Sequence, residues 1–168
     1  MTPLDTNDVA ITRRVVNAVG RELPGLVVHD ATVLLSHKGG EPQVPHIDSP
    51  QALGERRAFT RRSTAAGDVV PLSVLIGLQP GTTLWVWPGS HRDMHVTSER
   101  AFDGVVHRGV NVEVPATGFV VFRQDLVHAG DGFAQDNVRC HLFLDRKGSE
   151  PRGEAVTTEV AKLDMYVR

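Results

Sequence analysis

From residue 26 onward the chain is a series of short, β-branched and apolar runs, each cut off by a glycine or proline turn. The runs are Leu26 to Ser36, Val44 to Asp48, Pro71 to Leu78, Thr82 to Trp87, Val110 to Val114, Gly118 to Phe122 and Val138 to Asp145. Between them, Lys38-Gly39-Gly40-Glu41-Pro42, Gln79-Pro80-Gly81 and Pro88-Gly89-Ser90 read as turns, because proline and glycine supply the backbone angles that tight turns need. A single helix is expected ahead of the strands. Thr6, Asn7 and Asp8 offer N-cap side chains, and Val9, Ile11, Val15, Val16 and Val19 fall roughly on one face. Gly20 or Leu23-Pro24-Gly25 would end it. The pattern predicts an all-β-dominated sandwich or jelly roll with the helix packed on one sheet's outer face. At 168 residues it predicts a single domain over 1–168.

The chemistry concentrates in four residues. In an extended strand, residues i and i+2 point to the same face, so His46 and Asp48 can reach one metal ion from one strand. His128 is placed to bring a third ligand from elsewhere in the chain. Two imidazoles and one carboxylate on one face of an octahedron make a facial iron(II) site, with three positions left open. Arg139 follows on the next expected strand, where a guanidinium can hold a dicarboxylate co-substrate through a bidentate pair. A lone His-x-Asp arises often by chance, and His46 and His128 also fit ordinary loop or core histidines. The same ligands suit zinc, which keeps an open position when catalytic. The placement of Arg139 is the argument against zinc.

Several stretches together resemble the Fe(II)/2-oxoglutarate-dependent dioxygenase superfamily, nearest to its phytanoyl-CoA dioxygenase-like branch. Gln43-Val44-Pro45-His46-Ile47-Asp48 resembles the proximal-ligand strand. Pro71 to Leu78, followed by Leu84-Trp85-Val86-Trp87-Pro88-Gly89-Ser90-His91-Arg92, resembles the strand that ends in a Pro-Gly-Ser-His turn. Gly118 to Phe122 and then Asp125 to Gly130 resemble the distal-ligand region, and Val138 to Leu144 resembles the 2-oxoglutarate-binding strand. The similarity covers roughly residues 30 to 146, in the expected order. It implies a double-stranded β-helix of the jelly-roll or cupin type, with Fe(II) held by His46, Asp48 and His128 near one mouth. It further implies 2-oxoglutarate chelating that iron, its distal carboxylate paired with Arg139, and oxidation to succinate and CO2. Relatives that halogenate replace the carboxylate ligand by a small residue, so Asp48 favours hydroxylation, with demethylation left open. Many relatives carry Ser or Thr two residues after the arginine. Here that place is His141, which either binds the same co-substrate carboxylate or is structural. Ser36 and Gln43 are candidates for the co-substrate's other carboxylate.

Other residues carry alternatives of their own. Trp85 and Trp87 share one strand face and either pack on the sheet or form a substrate-facing wall. Ser90 and His91 are read chiefly as turn residues, and Asp125 as a turn cap or a support for His128. Cys140 should point away from the metal as a packing residue. His29, His37, His95 and His107 are read as surface residues, with His37 close to the motif strand. Ser49 to Asp68 and His91 to Arg108 are expected loops that would carry substrate specificity, the first as a lid. Arg56, Arg57, Arg61 and Arg62 in the first loop read as a solvated stretch or as contacts for an anionic substrate. Phe59 is the one aromatic nearby, which gives bases no stacking platform. The tail, Thr157 to Arg168, can add an edge strand.

A formal net charge of −2 argues against a protein that coats nucleic acid or anionic membrane. The one cysteine rules out an internal disulfide framework and favours a reducing, intracellular compartment. No secretory signal pattern opens the sequence, and no apolar run approaches the ~18 residues of a membrane span. Two other readings stay open: a cupin-type metal enzyme that does not use 2-oxoglutarate, and a non-catalytic β-sandwich interaction module.

Overall fold

The computed structural model of the protein describes residues 6–23, 25–48, 71–92, 109–148 and 161–162. The helix α1 spans Thr6–Glu22. Strands β1 (Leu26–Ser36), β2 (Leu72–Gly77), β3 (Thr82–Val86), β4 (Val110–Val114), β5 (Phe119–Arg123), β6 (His128–Gly130), β7 (Asn137–Arg146) and β8 (Ala161–Lys162) follow. They form two antiparallel sheets, one ordered β5-β2-β7-β1-β8 and the other β4-β3-β6. This is the jelly-roll architecture expected from the strand pattern. No helix among the described residues is long and apolar enough to cross a membrane.

Strand alternation divides the apolar residues into two cores. On β2 and β7, Val74, Ile76, Cys140, Leu142 and Leu144 point to one side, where they meet Ala31, Leu26, Val15 and Val19. The helix therefore covers the outer face of the larger sheet, through residues spaced for one helical stripe. Cys140 is fully buried in this layer, on the side away from His141. The opposite faces of β2 and β5 present Leu75 and Phe122 to Leu84, Val86 and Val114 of the smaller sheet. Phe122 of that inter-sheet core also packs against the His128 ring, centroids 4.7 Å apart. At the far end, Asn137 Nδ2 donates to Thr82 Oγ1 (3.1 Å) and ties β7 to β3. The Gln79-Pro80-Gly81 turn forms as expected, with Gly81 at φ 79°, a conformation that suits glycine at the third position of a type II turn.

The fold departs from the sequence reading in two places. Val44 to Asp48 forms no regular strand; His46 alone makes a β-bridge, to His128. Extended pairing is nonetheless present there, because His46 N donates to His128 O and His128 N to His46 O, both at 2.9 Å. The second departure is β6, whose three residues are too few to show an apolar period. Ala161 and Lys162 pair with Thr32 and Val33, so part of the tail does add an edge strand.

Candidate metal centre

β6 sits at the edge of the smaller sheet, paired through Val86↔His128 and Leu84↔Gly130 with β3. On its other side runs the chain from Gln43 to Asp48. Gln43 N donates to Gly130 O (2.9 Å), and Asp48 N donates to Gln124 O (3.0 Å). The backbone of the whole tripeptide is thereby held against β6 and the turn before it. His46, Asp48 and His128 each offer a donor atom, and these atoms lie within 4.8 Å of one another. Among the described residues this is the one such cluster.

The donor chemistry fits a metal ion. His46 Nδ1 donates to Val44 O (2.7 Å) and His128 Nδ1 to Leu126 O (3.0 Å). Each bond takes up Nδ1 and leaves the Nε2 lone pair free, as a metal-ligating imidazole requires. Two donors about 2.1 Å from one metal and at right angles stand about 3 Å apart. His128 Nε2 and Asp48 Oδ1 are 3.3 Å apart.

The electrostatics agree. His46 keeps an exposed edge, but burial of its ring, and then His128 beside it, lower its pKa despite the Val44 carbonyl and Asp48. Burial opposes a charge on His128, yet Asp48 and the Leu126 carbonyl raise it above its ordinary value. Burial would also raise Asp48, but His141 and His128 hold it well below the usual carboxylate range. The carboxylate thus stays ionised, and a metal ion would replace the proton on His128.

Arg139 and His141 lie on the interior face of β7, one alternation apart, about 7 Å along the strand. Arg139 is almost fully buried, and its Nη1 donates to Ser36 Oγ (2.8 Å). The guanidinium lies 5.1 Å from the Phe133 ring centroid. No carboxylate pairs with it among the described residues. Burial alone lowers its pKa to about 10. An unpaired buried ion costs several kcal/mol, and an anion brought to this guanidinium would offset that cost.

Gly130 makes room for the guanidinium. A Cβ at Gly130 would come 2.6 Å from Gln43 Oε1 and 2.9 Å from Arg139 Nη2. Both neighbours are side-chain ends that can swing aside. Gly130→Ala should therefore fold normally and bind metal normally. It should weaken binding of a small dicarboxylate by roughly ten- to a hundredfold, the equivalent of an overpacking strain of about 1–3 kcal/mol. Calorimetric titration of the metal-loaded variant checks this.

The expected site residues thus form two groups. His46, Asp48 and His128 converge as predicted. Ser36 and Gln43 do not stand at the metal end, where the proximal carboxylate of a chelating co-substrate would lie. Ser36 accepts from Arg139, and Gln43 Oε1 accepts from Gly130 N (2.8 Å), so both flank the guanidinium. His141 is displaced in the opposite sense. Its Nε2 is 3.3 Å from Asp48 Oδ2, and its ring stacks on Phe143 with centroids 4.4 Å apart. It stands beside the carboxylate of the triad, one alternation along β7 from Arg139.

The remaining candidates are structural or lie elsewhere. Trp85 and Trp87 alternate with buried Leu84 and Val86, which turns both rings to the outer face of the smaller sheet. Ser90 Oγ accepts from Val127 N (2.9 Å), and Asp125 takes both a Nε and a Nη2 bond from Arg123 (2.8 Å each). His37 is exposed, as expected, 3.8 Å from Asp136. His29 is only partly exposed; it sits in the β1 bulge, 3.4 Å from buried Asp145. Arg56, Arg57, Phe59, Arg61, Arg62, His95 and His107 lie outside the described residues, with most of both expected loops.

Two residues were missed by the sequence reading. Gln124, fully buried, donates from Nε2 to Leu72 O (3.0 Å) and Leu144 O (3.3 Å), while its carbonyl receives Asp48 N. Ser73, also fully buried, donates to Asp48 Oδ2. A lone hydroxyl inside the apolar run Leu72-Ser73-Val74-Leu75-Ile76 was the available signal.

No protein-family profile matches the chain, and no curated protein matches it. Solved structures do match, at the level of fold. AviO1 from Streptomyces viridochromogenes Tue57 superposes with a TM-score of 0.59 at 17% identity, over 83% of this chain and 60% of that one. The non-heme α-ketoglutarate-dependent epimerase SnoN from nogalamycin biosynthesis gives 0.55 at 18% identity, over 88% and 66%. EctD from S. alaskensis, solved with 2-oxoglutarate (the same compound as α-ketoglutarate) and 5-hydroxyectoine, gives 0.57 at 18% identity, over 83% and 51%. The chain thus spans between half and two thirds of the length of these proteins, and it shares their fold.

Proposed function

We propose that this chain is an Fe(II)- and 2-oxoglutarate-dependent oxygenase, a hydroxylase of the phytanoyl-CoA dioxygenase-like branch formed by a single domain. The observation that carries the reading is the pairing of a His-Asp-His donor set with a buried guanidinium that has no acidic partner among the described residues, facing the same interior. Neither half alone is specific; a short dicarboxylate that chelates a metal explains both. Solved neighbours with iron and 2-oxoglutarate bound support it, among them SnoN in complex with Fe3+ and α-ketoglutarate. Those neighbours include an epimerase and a carbocyclase, so hydroxylation rests on the sequence resemblance and on Asp48.

In this reading His46 Nε2, His128 Nε2 and an Asp48 oxygen hold the iron. Bound iron(II) would supply the redox chemistry that couples oxidative decarboxylation of 2-oxoglutarate to oxidation of a substrate. Arg139 pairs with the distal carboxylate, Ser36 holds the guanidinium's direction, and Gly130 leaves space for the guanidinium itself. Phe122, from the apolar cluster with Leu75, Leu84 and Val86, packs against the His128 ring and helps hold it in place. Recognition of an anionic substrate by Arg56, Arg57, Arg61 and Arg62 belongs to the same proposal, and rests on charge alone.

The test is an anaerobic titration of the metal-free protein with Fe(II) and then 2-oxoglutarate, read by visible absorption. A metal-to-ligand charge-transfer band that needs both additions, and is lost in His46→Ala, is the expected result. Metal uptake without a band would favour a metal enzyme that does not use 2-oxoglutarate. No uptake would favour the interaction module.

A further inference from the structure

We infer that Ser73 and His141 are positioning residues that hold Asp48 Oδ2 off the metal, so that the carboxylate presents Oδ1 alone and three coordination positions stay open. The inference rests on the metal-site reading above and adds to it how the carboxylate is set. The backbone of Asp48 is already fixed by its bond to the Gln124 carbonyl, and Gln124 is itself bonded to both β2 and β7. The orientation of the carboxylate is then set by what surrounds its oxygens. Its two oxygens have different surroundings: Oδ1 faces His128 Nε2, while Oδ2 accepts from the Ser73 hydroxyl and lies 3.3 Å from His141 Nε2.

The two groups come from neighbouring strands. Ser73 is opposite Phe143, and His141 opposite Leu75, so they approach Oδ2 along a diagonal of the β2–β7 ladder. Both are buried, and the stack of His141 on Phe143 fixes its ring plane. His141 Nε2 makes no hydrogen bond within the described residues. A buried ring nitrogen without a bond is expensive, and at 3.3 Å it stands beside the acceptor Oδ2. A carboxylate that turned both oxygens onto the metal would occupy one of the three positions. A chelating co-substrate needs two and oxygen the third, so that turn would cripple the site without emptying it.

The experiment uses Co(II) alone as probe, then 2-oxoglutarate, on the wild type, Ser73→Ala/His141→Leu and His141→Gln. In the double variant we expect Co(II) to bind with an altered visible d–d spectrum. Its affinity for 2-oxoglutarate should fall by at least about tenfold, in the range seen when groups that orient metal ligands are removed. His141→Gln keeps an N–H near Oδ2 and should restore the wild-type spectrum. A packing role alone would change stability and leave the Co(II) spectrum unmoved. A folded double variant with the wild-type spectrum and unchanged 2-oxoglutarate affinity overturns the inference. Should that variant not fold, Ser73→Ala alone carries the same test, since it removes a single oxygen; a wild-type spectrum and affinity there overturns it equally. Failure of the wild type to take up Co(II) would instead sink the metal site itself.

Discussion

Replacing His128 by alanine should give a folded protein that no longer retains iron. His128 exchanges two backbone bonds with His46 and pairs with Val86, and none of these involves its side chain. The imidazole supplies Nε2 to the donor set from a ring held by the Leu126 carbonyl and packed 4.7 Å from Phe122. Its loss leaves one histidine and one carboxylate, too few to hold a divalent ion against water. The Fe(II) affinity should drop by more than the roughly 10–100-fold typical of changes in groups that merely support a ligand. Equilibrium dialysis with metal analysis measures this. His37→Ala is the control, because His37 is exposed in the turn after β1 and outside the donor set. Equal metal retention by the two variants would remove the triad from consideration.

The contrast between His128 and His141 shows what could be read from the chain alone. The i, i+2 spacing of His46 and Asp48 carries its meaning locally, and so does the placing of Arg139 and His141 on one strand face. Both survive in the structure. The partner of His141 does not follow from that face. It depends on register: pairing of His141 with Thr32 and Leu75 carries it past the anion end to the carboxylate of Asp48. Register is set by turns and by which side chains reach the core, and neither is visible in a five-residue motif. The surroundings of Ser36 and Gln43 depend on register in the same way. Each is near the co-substrate region in sequence order, yet pairing places each beside the guanidinium.

Strand boundaries show the same division. β1 and β4 match the apolar runs residue for residue, because those runs are long enough, or punctuated enough, to declare their ends. β6 has three residues and the segment at His46 a single bridge, so no periodicity exists to detect. Their conformation is imposed by β3 and by each other. All three proposed ligands sit on these least regular pieces of the larger pattern, and the motif rather than the periodicity marks them. Ser73 was the more recoverable omission, since a hydroxyl at a fully buried position in an apolar strand demands a partner.

Arg139→Met should separate the two halves of the site. The variant is expected to bind Fe(II) as the wild type does, since Arg139 is outside the donor set. Its affinity for 2-oxoglutarate should fall by about 2–5 kcal/mol, roughly thirty- to several thousandfold, as when one partner of a buried charge pair is truncated. Arg139→Lys should fall between, because an ammonium keeps the charge but loses the planar fork. Stability should move the other way. The guanidinium is buried, its pKa is lowered to about 10 by desolvation, and no carboxylate among the described residues offsets that burial. Methionine fills a similar volume without a charge, so the melting temperature of the metal-free protein should hold or rise. Binding and stability then change in opposite directions, the signature of a charge kept for a ligand and not for the fold. A variant that melts earlier yet binds 2-oxoglutarate unchanged would make Arg139 a structural residue and leave the proposed co-substrate without its anchor.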